Sequence, residues 1–431
     1  MLTFLTLFLG IVSGANVVEL SAGDAVAAVE LRLDGASLGR IAGPPFSTVV
    51  DLGAPPKPHE LVAVGFDRDG REVARAVQKI NLPRSLAEAT LQLLPGKGGI
   101  GRYARLTWQC AVAPKPTRTV VTFDGRPIAA PDPSRIPLPA FVPEQAHFMR
   151  AELDFPRNLT AAAEIAFGGQ NRDEARAELT AVAVFSEAKT LPPLDAALAA
   201  RGMPLNVVAV EEDGPAEIAI IRDEAARSPL ATMAARSFWR STGSAAIKGV
   251  ARLRRDQRAR FVWPLTETFQ HDVMRYEIFP TTPDYDREAG GLLYLVTRVV
   301  APGISPAPRL ADAVAVAALS AVSRNRARAV LLVLGGSRDG SRLSPAGARG
   351  YLQALGVPLF VWTVGPPGEE AGAGWTGATD VADVSTEARF KKAADRLLDS
   401  VRRQRIVWVE GIHLPQDVEL SPALPGLALA R

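Results

Sequence analysis

The sequence predicts a multidomain chain, with two β-sandwich modules followed by a doubly wound α/β domain. Three observations carry this. Short alternating strands with Gly- and Pro-containing turns recur about every ten residues through the first part of the chain, the pattern of a sandwich. The register of that first stretch repeats in the next, which marks an internal duplication. Beyond Leu191-Pro-Pro193 the texture changes to apolar strands alternating with helices, which implies a parallel sheet covered on both faces. A chain of 431 residues has room for about three domains at ~150 residues each.

Leu2 to Val12 is an almost unbroken apolar run, well short of the ~20 residues a membrane-crossing helix needs. Small residues follow at Ser13-Gly14-Ala15. Residues 1–15 therefore read as a secretory leader cut before Asn16, although the run carries no Lys or Arg ahead of it. The alternative is a buried first strand. A leader places the protein outside the cytoplasm, secreted or periplasmic. No other stretch is long and uncharged enough to span a bilayer. Lys and Arg total 49 against 46 Asp and Glu, mixed along the chain, so no basic face suited to nucleic acid is expected. The single cysteine, Cys110, excludes a disulfide framework, a zinc site of several thiolates and an iron–sulfur cluster.

The first module spans 16–84. Val29-Glu-Leu-Arg-Leu33 alternates with period two and runs into Asp34-Gly35, a hairpin signal because glycine tolerates positive φ. Phe46–Val50, His59–Phe66 and Val73–Ile80 read as further strands, with a turn at Asp67–Gly70. The second module, 89–190, repeats this. Thr119–Phe123 runs into Asp124-Gly125, Pro139-Ala-Phe141 matches Pro44-Pro-Phe46, and His147–Leu153 matches His59–Gly65. Ala161–Phe167 then parallels Ala74–Ile80, and extra strands fall at Tyr103–Val112 and Ala177–Val184. A strand ending in Asp-Gly, then a Pro-Phe strand, then a long penultimate strand resembles bacterial immunoglobulin-like domains. His59 and His147 open equivalent strands, so a structural role is expected. Gly96-Lys-Gly-Gly-Ile-Gly101 lacks the ending of a phosphate loop and reads as a hairpin tip. Asn158-Leu-Thr160 is a glycosylation sequon by letter only.

The α/β domain spans 203–412, with a tail at 413–431. Ile218–Ile221 reads as a buried strand and Ala225–Trp239 as a helix. Phe261–Pro264, Arg275–Phe279 and Leu292–Val300 read as strands. Leu310–Arg324 is a helix and Ala329–Leu334 a continuous apolar strand. Ser344 caps a helix with Pro345 in its first turn. Val357–Val364 is a strand, Thr386–Arg403 a helix, and Ile406–Glu410 a closing strand. The basic segment Arg252–Arg260 reads as a solvated turn ahead of a strand.

From Leu310 to Gly365 the order is a helix opening on Leu310-Ala-Asp312-Ala313, a strand, a Gly/Asp/Ser loop, a helix and Gly356-Val-Pro-Leu-Phe-Val-Trp-Thr-Val-Gly365. This is similar to a von Willebrand factor type A domain. With the leader and immunoglobulin-like modules, the chain resembles secreted bacterial proteins related to that domain. The resemblance implies a binding or adhesion protein, and in many members a divalent cation at the top of the sheet. That cation needs oxygen ligands from three loops. Here Arg222 stands where the first Asp belongs, Pro308 where a Thr should fall, and Gly335-Gly336-Ser337 replaces Thr-Asp-Gly. The expectation is a degenerate, metal-free site with no cofactor, whose partner is another protein.

The candidate binding residues at the sheet's carboxyl edge are Asp223, Ser337, Asp339 and Ser341, where open α/β sheets bind ligands. Trp375 joins them from the Gly/Pro-rich loop 366–377, where an exposed aromatic is expected; Glu369 and Glu370 lie in the same loop. No catalytic residue is assigned, since HExxH, GxSxG and Walker sequences are all missing. The alternative is an extracytoplasmic hydrolase using the same edge, with Ser337, His271 and Asp312 as the triad that could be assembled in space.

Overall fold

The computed structural model describes all residues except 9, 84–86, 97–98, 111–112, 157–158, 170, 177, 189–190, 192–193, 195–196, 213, 239–247, 272–273, 366–372 and 421–425. The first module is a two-sheet antiparallel sandwich. Ala36–Ala42, Ala28–Leu33, His59–Phe66 and Glu72–Ile80 form one sheet in that order. Leu2–Phe4, Ala15–Ala22 and Phe46–Asp51 form the other. Alternation sends Val18, Leu20, Val29, Leu31, Leu61 and Ala63 inward to a shared core.

The segment expected as a leader belongs to this sandwich. Leu2–Phe4 pairs with Ala15–Ala22 in the register Leu2↔Ala22, and Leu2, Phe4 and Phe8 are buried. Ala15 and Asn16 lie side by side in one strand, opposite Asp51 and Val50, so the expected cut would fall inside a paired strand. The apolar run is short enough to serve as a strand, and here its alternate residues face the core.

The second module has Arg126–Ile128, Arg118–Phe123, Ala146–Phe155, Leu159–Gly168 and Asn171–Arg176 in one sheet. Ile136–Pro137, Gly99–Cys110 and Ala87–Gly96 form the other. Gly96 pairs with Gly99, so the glycine-rich stretch sits at a hairpin end. The sequon at Asn158 lies outside the described residues. Both modules use one device. Asp34 and Asp124 take positive φ (52° and 47°) in their Asp-Gly turns. Asp34 Oδ2 lies 2.7 Å from His59 Nδ1, and Asp124 Oδ2 lies 2.8 Å from His147 Nδ1. The second carboxylate oxygen accepts the next N–H, from Glu60 and from Phe148, at 2.9 Å in each case. Each imidazole's Nε2 faces a backbone carbonyl, Leu52 at 3.1 Å and Val142 at 2.9 Å. The histidines thus clip a turn to a loop.

Burial works to raise the Asp34 carboxyl, but hydrogen bonds from His59 and Glu60 outweigh it and hold it below the usual range. A lowered carboxylate contributes stability above its unfolded value of about 3.9 and loses it as pH falls through the folded value. Asp34→Asn is therefore expected to flatten the acid limb of a urea-midpoint profile below about pH 4. An acid limb unchanged from the parent's would count against the clip.

A third β unit, absent from the sequence reading, closes the molecule. Val207–Glu211, Gln404–Glu410, Leu179–Ser186 and Leu427–Leu429 form one antiparallel sheet. Met203–Pro204, Leu198–Ala200 and Val418–Leu420 form a smaller one over it. Val182, Val184, Leu198, Val407, Val409 and Val418 fill the space between. Three expectations change here. The strand expected at Ala177–Val184 leaves the second module for this unit, Ile406–Glu410 pairs with Leu179–Ala183 rather than closing the parallel sheet, and the tail 413–431 supplies two strands. An apolar run shows that a strand is buried but not which sheet buries it.

The α/β domain is inserted between two neighbouring strands of that unit. Its five strands are β1 (Ala216–Arg222), β2 (Gln257–Phe261), β3 (Ala327–Leu334), β4 (Leu359–Thr363) and β5 (Asp380–Asp383), all parallel, in the order 2-1-3-4-5. Among the described residues they are flanked by the helices α1 (Arg227–Phe238), α2 (Leu292–Arg298), α3 (Leu310–Val322), α4 (Pro345–Leu355) and α5 (Glu387–Arg402). Alternate residues of β1 and β3 part to opposite faces. Ile218, Ile220, Ala329, Leu331 and Val333 meet α1, α2 and α5; Ala219, Ile221, Val330, Leu332 and Leu334 meet α3 and α4.

Ser344 caps α4 through the Gly347 N–H at 3.0 Å, with Pro345 in the first turn. Leu292–Val300, expected as a strand, is mostly helix. Leu292, Leu295 and Val296 share one buried face at helical spacing, and Thr297 Oγ1 donates to the Leu293 carbonyl at 2.7 Å. Gly291 caps that helix where a Cβ would lie 2.0 Å from the Val250 carbonyl oxygen. Within the basic segment Arg252–Arg260, Arg260 is not solvated. It turns inward to Glu217 and Asp284, at 3.0 Å from each. Among the described residues, no helix is long and apolar enough to cross a membrane.

Candidate functional site

In a parallel sheet of order 2-1-3-4-5, the chain leaves β1 and β3 in opposite directions, so a crevice opens beyond their carboxyl ends. Asp223 and Gly335 sit there, one residue past each strand. Gly335 has no side chain where a Cβ would stand 2.1 Å from the Ala226 nitrogen, so the loop after β3 presses onto the start of α1. That approach delivers donors to Asp223. Its Oδ2 accepts from the Gly335 and Ser337 N–H groups at 3.0 and 2.9 Å, and its Oδ1 from Ser337 Oγ at 2.7 Å and the Ala225 N–H at 3.1 Å. A carboxylate offers about four lone-pair sites. All four are used.

Asp339 and Ser341 belong to a second, adjacent cluster. Asp339 accepts from the first N–H groups of α3, Leu310 at 3.0 Å and Ala311 at 3.2 Å. It also accepts the Ser341 N–H at 3.0 Å and Ser341 Oγ at 2.6 Å. Ser341 Oγ in turn accepts the Asp312 N–H at 3.1 Å. Asp312 holds Arg309 at 2.7 Å and the Arg342 and Leu343 N–H groups at 3.0 Å. The loop after β3 therefore serves as the N-cap of α3, supplied from a distant part of the chain.

The structure brings Asp223 together with Ser337, and Asp339 with Ser341. Trp375 stands apart. Expected at the surface, it is only 2 % exposed and packs in the core beneath α3 and α4. Glu369 and Glu370 lie outside the described residues. Of the triad Ser337, His271 and Asp312, the Ser337 hydroxyl donates to Asp223 and Asp312 binds Arg309 and loop N–H groups, while the side chain of His271, at the end of the strand Glu267–His271, lies outside the described residues.

Arg222, at the position where the resemblance placed a metal ligand, is fully buried. Its guanidinium donates to the Val296 carbonyl at 2.7 Å and to Glu224, and lies 5.3 Å from the Trp263 ring centroid. Burial pushes its pKa down, with Glu224 acting against that. Among the described residues, no group of three or more Asp, Glu, His or Cys side chains could hold a metal ion.

A cleft of about 300 Å³ opens beside this network, walled by Arg222, Trp263, Leu265, Ile304, Pro308 and Ser337. On its rim Ile304 is 85 % exposed, and nearby Val300 is 61 % exposed. Ile304 was not singled out by the sequence, because an isolated apolar residue in a loop carries no periodicity, and Val300 reads there as the end of a strand. Larger cavities, of about 1000 and 750 Å³, lie elsewhere, at seams between the α/β domain and the β units. Their walls are built of residues that also hold the units together, including Arg150, Arg260 and Arg324.

Fold and site together define a chain of antiparallel β-sandwich units carrying an inserted parallel α/β domain. No protein-family model matches it, and no curated protein matches it. Among solved structures, fibronectin(III)-like modules of Clostridium thermocellum CbhA are similar over 19 % of this chain and 93 % of theirs, at 18 % identity and TM-score 0.17. The central fibronectin-III array of RIM-binding protein is similar over 43 % of this chain and 77 % of its own, at 11 % identity and TM-score 0.19. A β-glycosidase from Bacteroides vulgatus is similar over 39 % of this chain, at 12 % identity and TM-score 0.19, and the chain spans 24 % of its length. Likenesses this small carry no argument, and the sandwich description stands on the strand pairing itself.

Proposed function

We propose that the chain is a non-enzymatic binding protein whose α/β domain, of von Willebrand factor A type with a metal-free edge, engages another protein. One observation carries the reading. The hydroxyls and carboxylates at the switch point are spent on holding loops, while Ile304 and Val300 stand in solvent beside the cleft. A metal ion or a nucleophile needs free lone pairs or a base in reach; an apolar anchor on a rigid rim needs neither.

The test uses the full chain with a photo-crosslinking residue at position 304, and a control at the exposed Leu38 of the first sandwich. Incubated with extract of the native source, position 304 is expected to give one discrete adduct, removed by excess unmodified protein. No adduct, or the same adducts from both positions, overturns the reading. Calorimetry of chelator-treated protein with Mg²⁺, Mn²⁺ and Ca²⁺ is expected to show no binding heat. Micromolar binding lost in Asp223→Asn would restore a cation site.

A further inference from the structure

Each sheet of the first sandwich has two edge strands, and an open edge invites another strand unless something blocks it. Leu2–Phe4 is short. Ala36–Ala42 and Glu72–Ile80 are bulged against their neighbours, and the latter also exposes Arg75 and Lys79. Phe46–Asp51 has none of these guards. It holds no Lys, Arg or Pro, and it pairs with Ala15–Ala22 in unbroken register.

Hydrogen-bond directions tell which of its groups face outward. The Glu19 carbonyl accepts the Leu5 N–H at 2.8 Å, and the Glu19 N–H donates to Thr6 Oγ1 at 3.0 Å. Odd-numbered residues of Ala15–Ala22 therefore turn to the N-terminal run, and even-numbered ones bond Phe46–Asp51 in the pairs Asn16↔Val50, Val18↔Thr48 and Leu20↔Phe46. The Leu52 N–H, donating to the Gly14 carbonyl at 2.9 Å, continues that ladder. By the same alternation, the N–H and C=O of Val49 and Asp51 point away from the sheet, as does the Ser47 carbonyl; the Ser47 N–H turns back to Pro45 at 3.0 Å. Among the described residues no strand lies on that side. Val49 is 62 % exposed there, and Val17, directly opposite it, is 54 % exposed. Ser47 and Asp51 flank Val49 on the same outer face, both exposed.

We propose that this edge pairs with the same edge of a second copy of the chain, antiparallel about a two-fold axis at Val49. The strand is its own complement in that register. Val49 exchanges N–H···O=C bonds with its copy, and each Asp51 N–H donates to the other chain's Ser47 carbonyl. Val49 against Val49 extends the Val17–Val49 pair into a row of valines across the joined sheet. Each Asp51 carboxylate faces a Ser47 hydroxyl rather than a like charge; it accepts the Gly53 N–H at 2.9 Å and keeps lone pairs for that hydroxyl. A slip toward the end of the strand sets Asp51 against Val49, and a longer one sets Asp51 against its own copy. The contact is isologous, so it uses up this edge in both chains and closes at a dimer.

Sedimentation velocity of the full chain across micromolar concentrations is expected to show a monomer–dimer equilibrium. Val49→Lys puts an ammonium against its own copy and should weaken the dimer by about tenfold or more. Ser47→Lys puts the same charge two residues away, opposite Asp51 of the second copy, and should tighten the dimer several-fold. Opposite responses to one added charge are the mark of this register; adhesion through any apolar patch would move both variants the same way. A parent chain that stays monomeric at roughly 100 µM overturns the proposal. A dimer indifferent to Val49→Lys, or one that Ser47→Lys fails to tighten, overturns it as well. Both positions are exposed, and the Ser47→Lys result decides the register even if Val49→Lys fails to fold.

Discussion

Replacing Arg150 with alanine is expected to lower the folding free energy by roughly 3–5 kcal/mol, the cost of breaking a buried ionic group from one side. Arg150 lies on Ala146–Phe155 of the second sandwich and is 3 % exposed. It reaches Glu152 at 2.7 Å, Glu211 at 3.2 Å and Glu164 at 3.7 Å. It also donates to the Arg324 and Asn325 carbonyls at 2.6 and 3.0 Å. One side chain thus joins the second sandwich, the third unit and the α/β domain. Without it, three carboxylates face one another, with Arg326 on Glu152 as the cation that remains on the cluster among the described residues. Arg150→Lys should recover only part of the loss, because an ammonium cannot serve several oxygens in a plane. Urea unfolding of the full chain measures both; a loss under about 1 kcal/mol would mean the cluster is wet and weak.

The same cluster sets a pH dependence. Three carboxylates against two guanidiniums leave one negative charge in excess. Burial, opposed by Arg150, pushes Glu164 up to about 7. A carboxyl raised in the folded state binds its proton more tightly there than in the unfolded chain. Its contribution is full below the unfolded value of about 4.3, declines as pH rises, and levels off above about 7. Glu164→Gln should remove that downward slope between about pH 4 and 7.

Asp223→Ala is expected to cost roughly 2–5 kcal/mol, since it strands the Ala225, Gly335 and Ser337 N–H groups beside the sheet edge. Asp223→Asn keeps the shape but turns one acceptor into a donor, and should lose about half as much. Asp339→Ala is expected to cost about 0.5–2 kcal/mol, the range for losing a helix cap. Chemical denaturation ranks the three. Crosslinking from position 304 should fall with Asp223→Ala, because the loop after β3 forms one wall of the cleft. Unchanged crosslinking with a large stability loss would separate the rim from the network beneath it.

Local chemistry was the legible part of the sequence. Asp-Gly followed by a strand-opening histidine marked both sandwiches, and the cap at Ser344 follows from the Ser-Pro pair. Ser337 and Asp339 were found because the crevice of a parallel sheet lies past its strand ends. Their roles were not legible, since a carboxylate filled by N–H groups and one awaiting a cation look alike in sequence. Trp375 was misplaced because neighbouring Gly and Pro say nothing of an aromatic that folds back under a helix. Leu292–Val300 and Ile406–Glu410 failed for related reasons. Continuous apolar runs report burial, whereas element type and partner are decided by contacts far along the chain.

The insertion of the α/β domain fixes an order of events during synthesis. Leu179–Ser186 finds its central partner only when Gln404–Glu410 has been made; the Thr180 to Gly411 hydrogen bond alone spans 231 positions. Until then the third unit's strands wait with unpaired edges, while the two sandwiches and the inserted domain can each close on themselves. The inserted domain, once folded, brings its entry and exit strands together, since Glu211 pairs with Ile406. It acts as the clasp that shortens a long loop closure to a local one. A lesion in the α/β core would therefore first be felt as an unfinished sheet some two hundred residues upstream, with edges open to other chains.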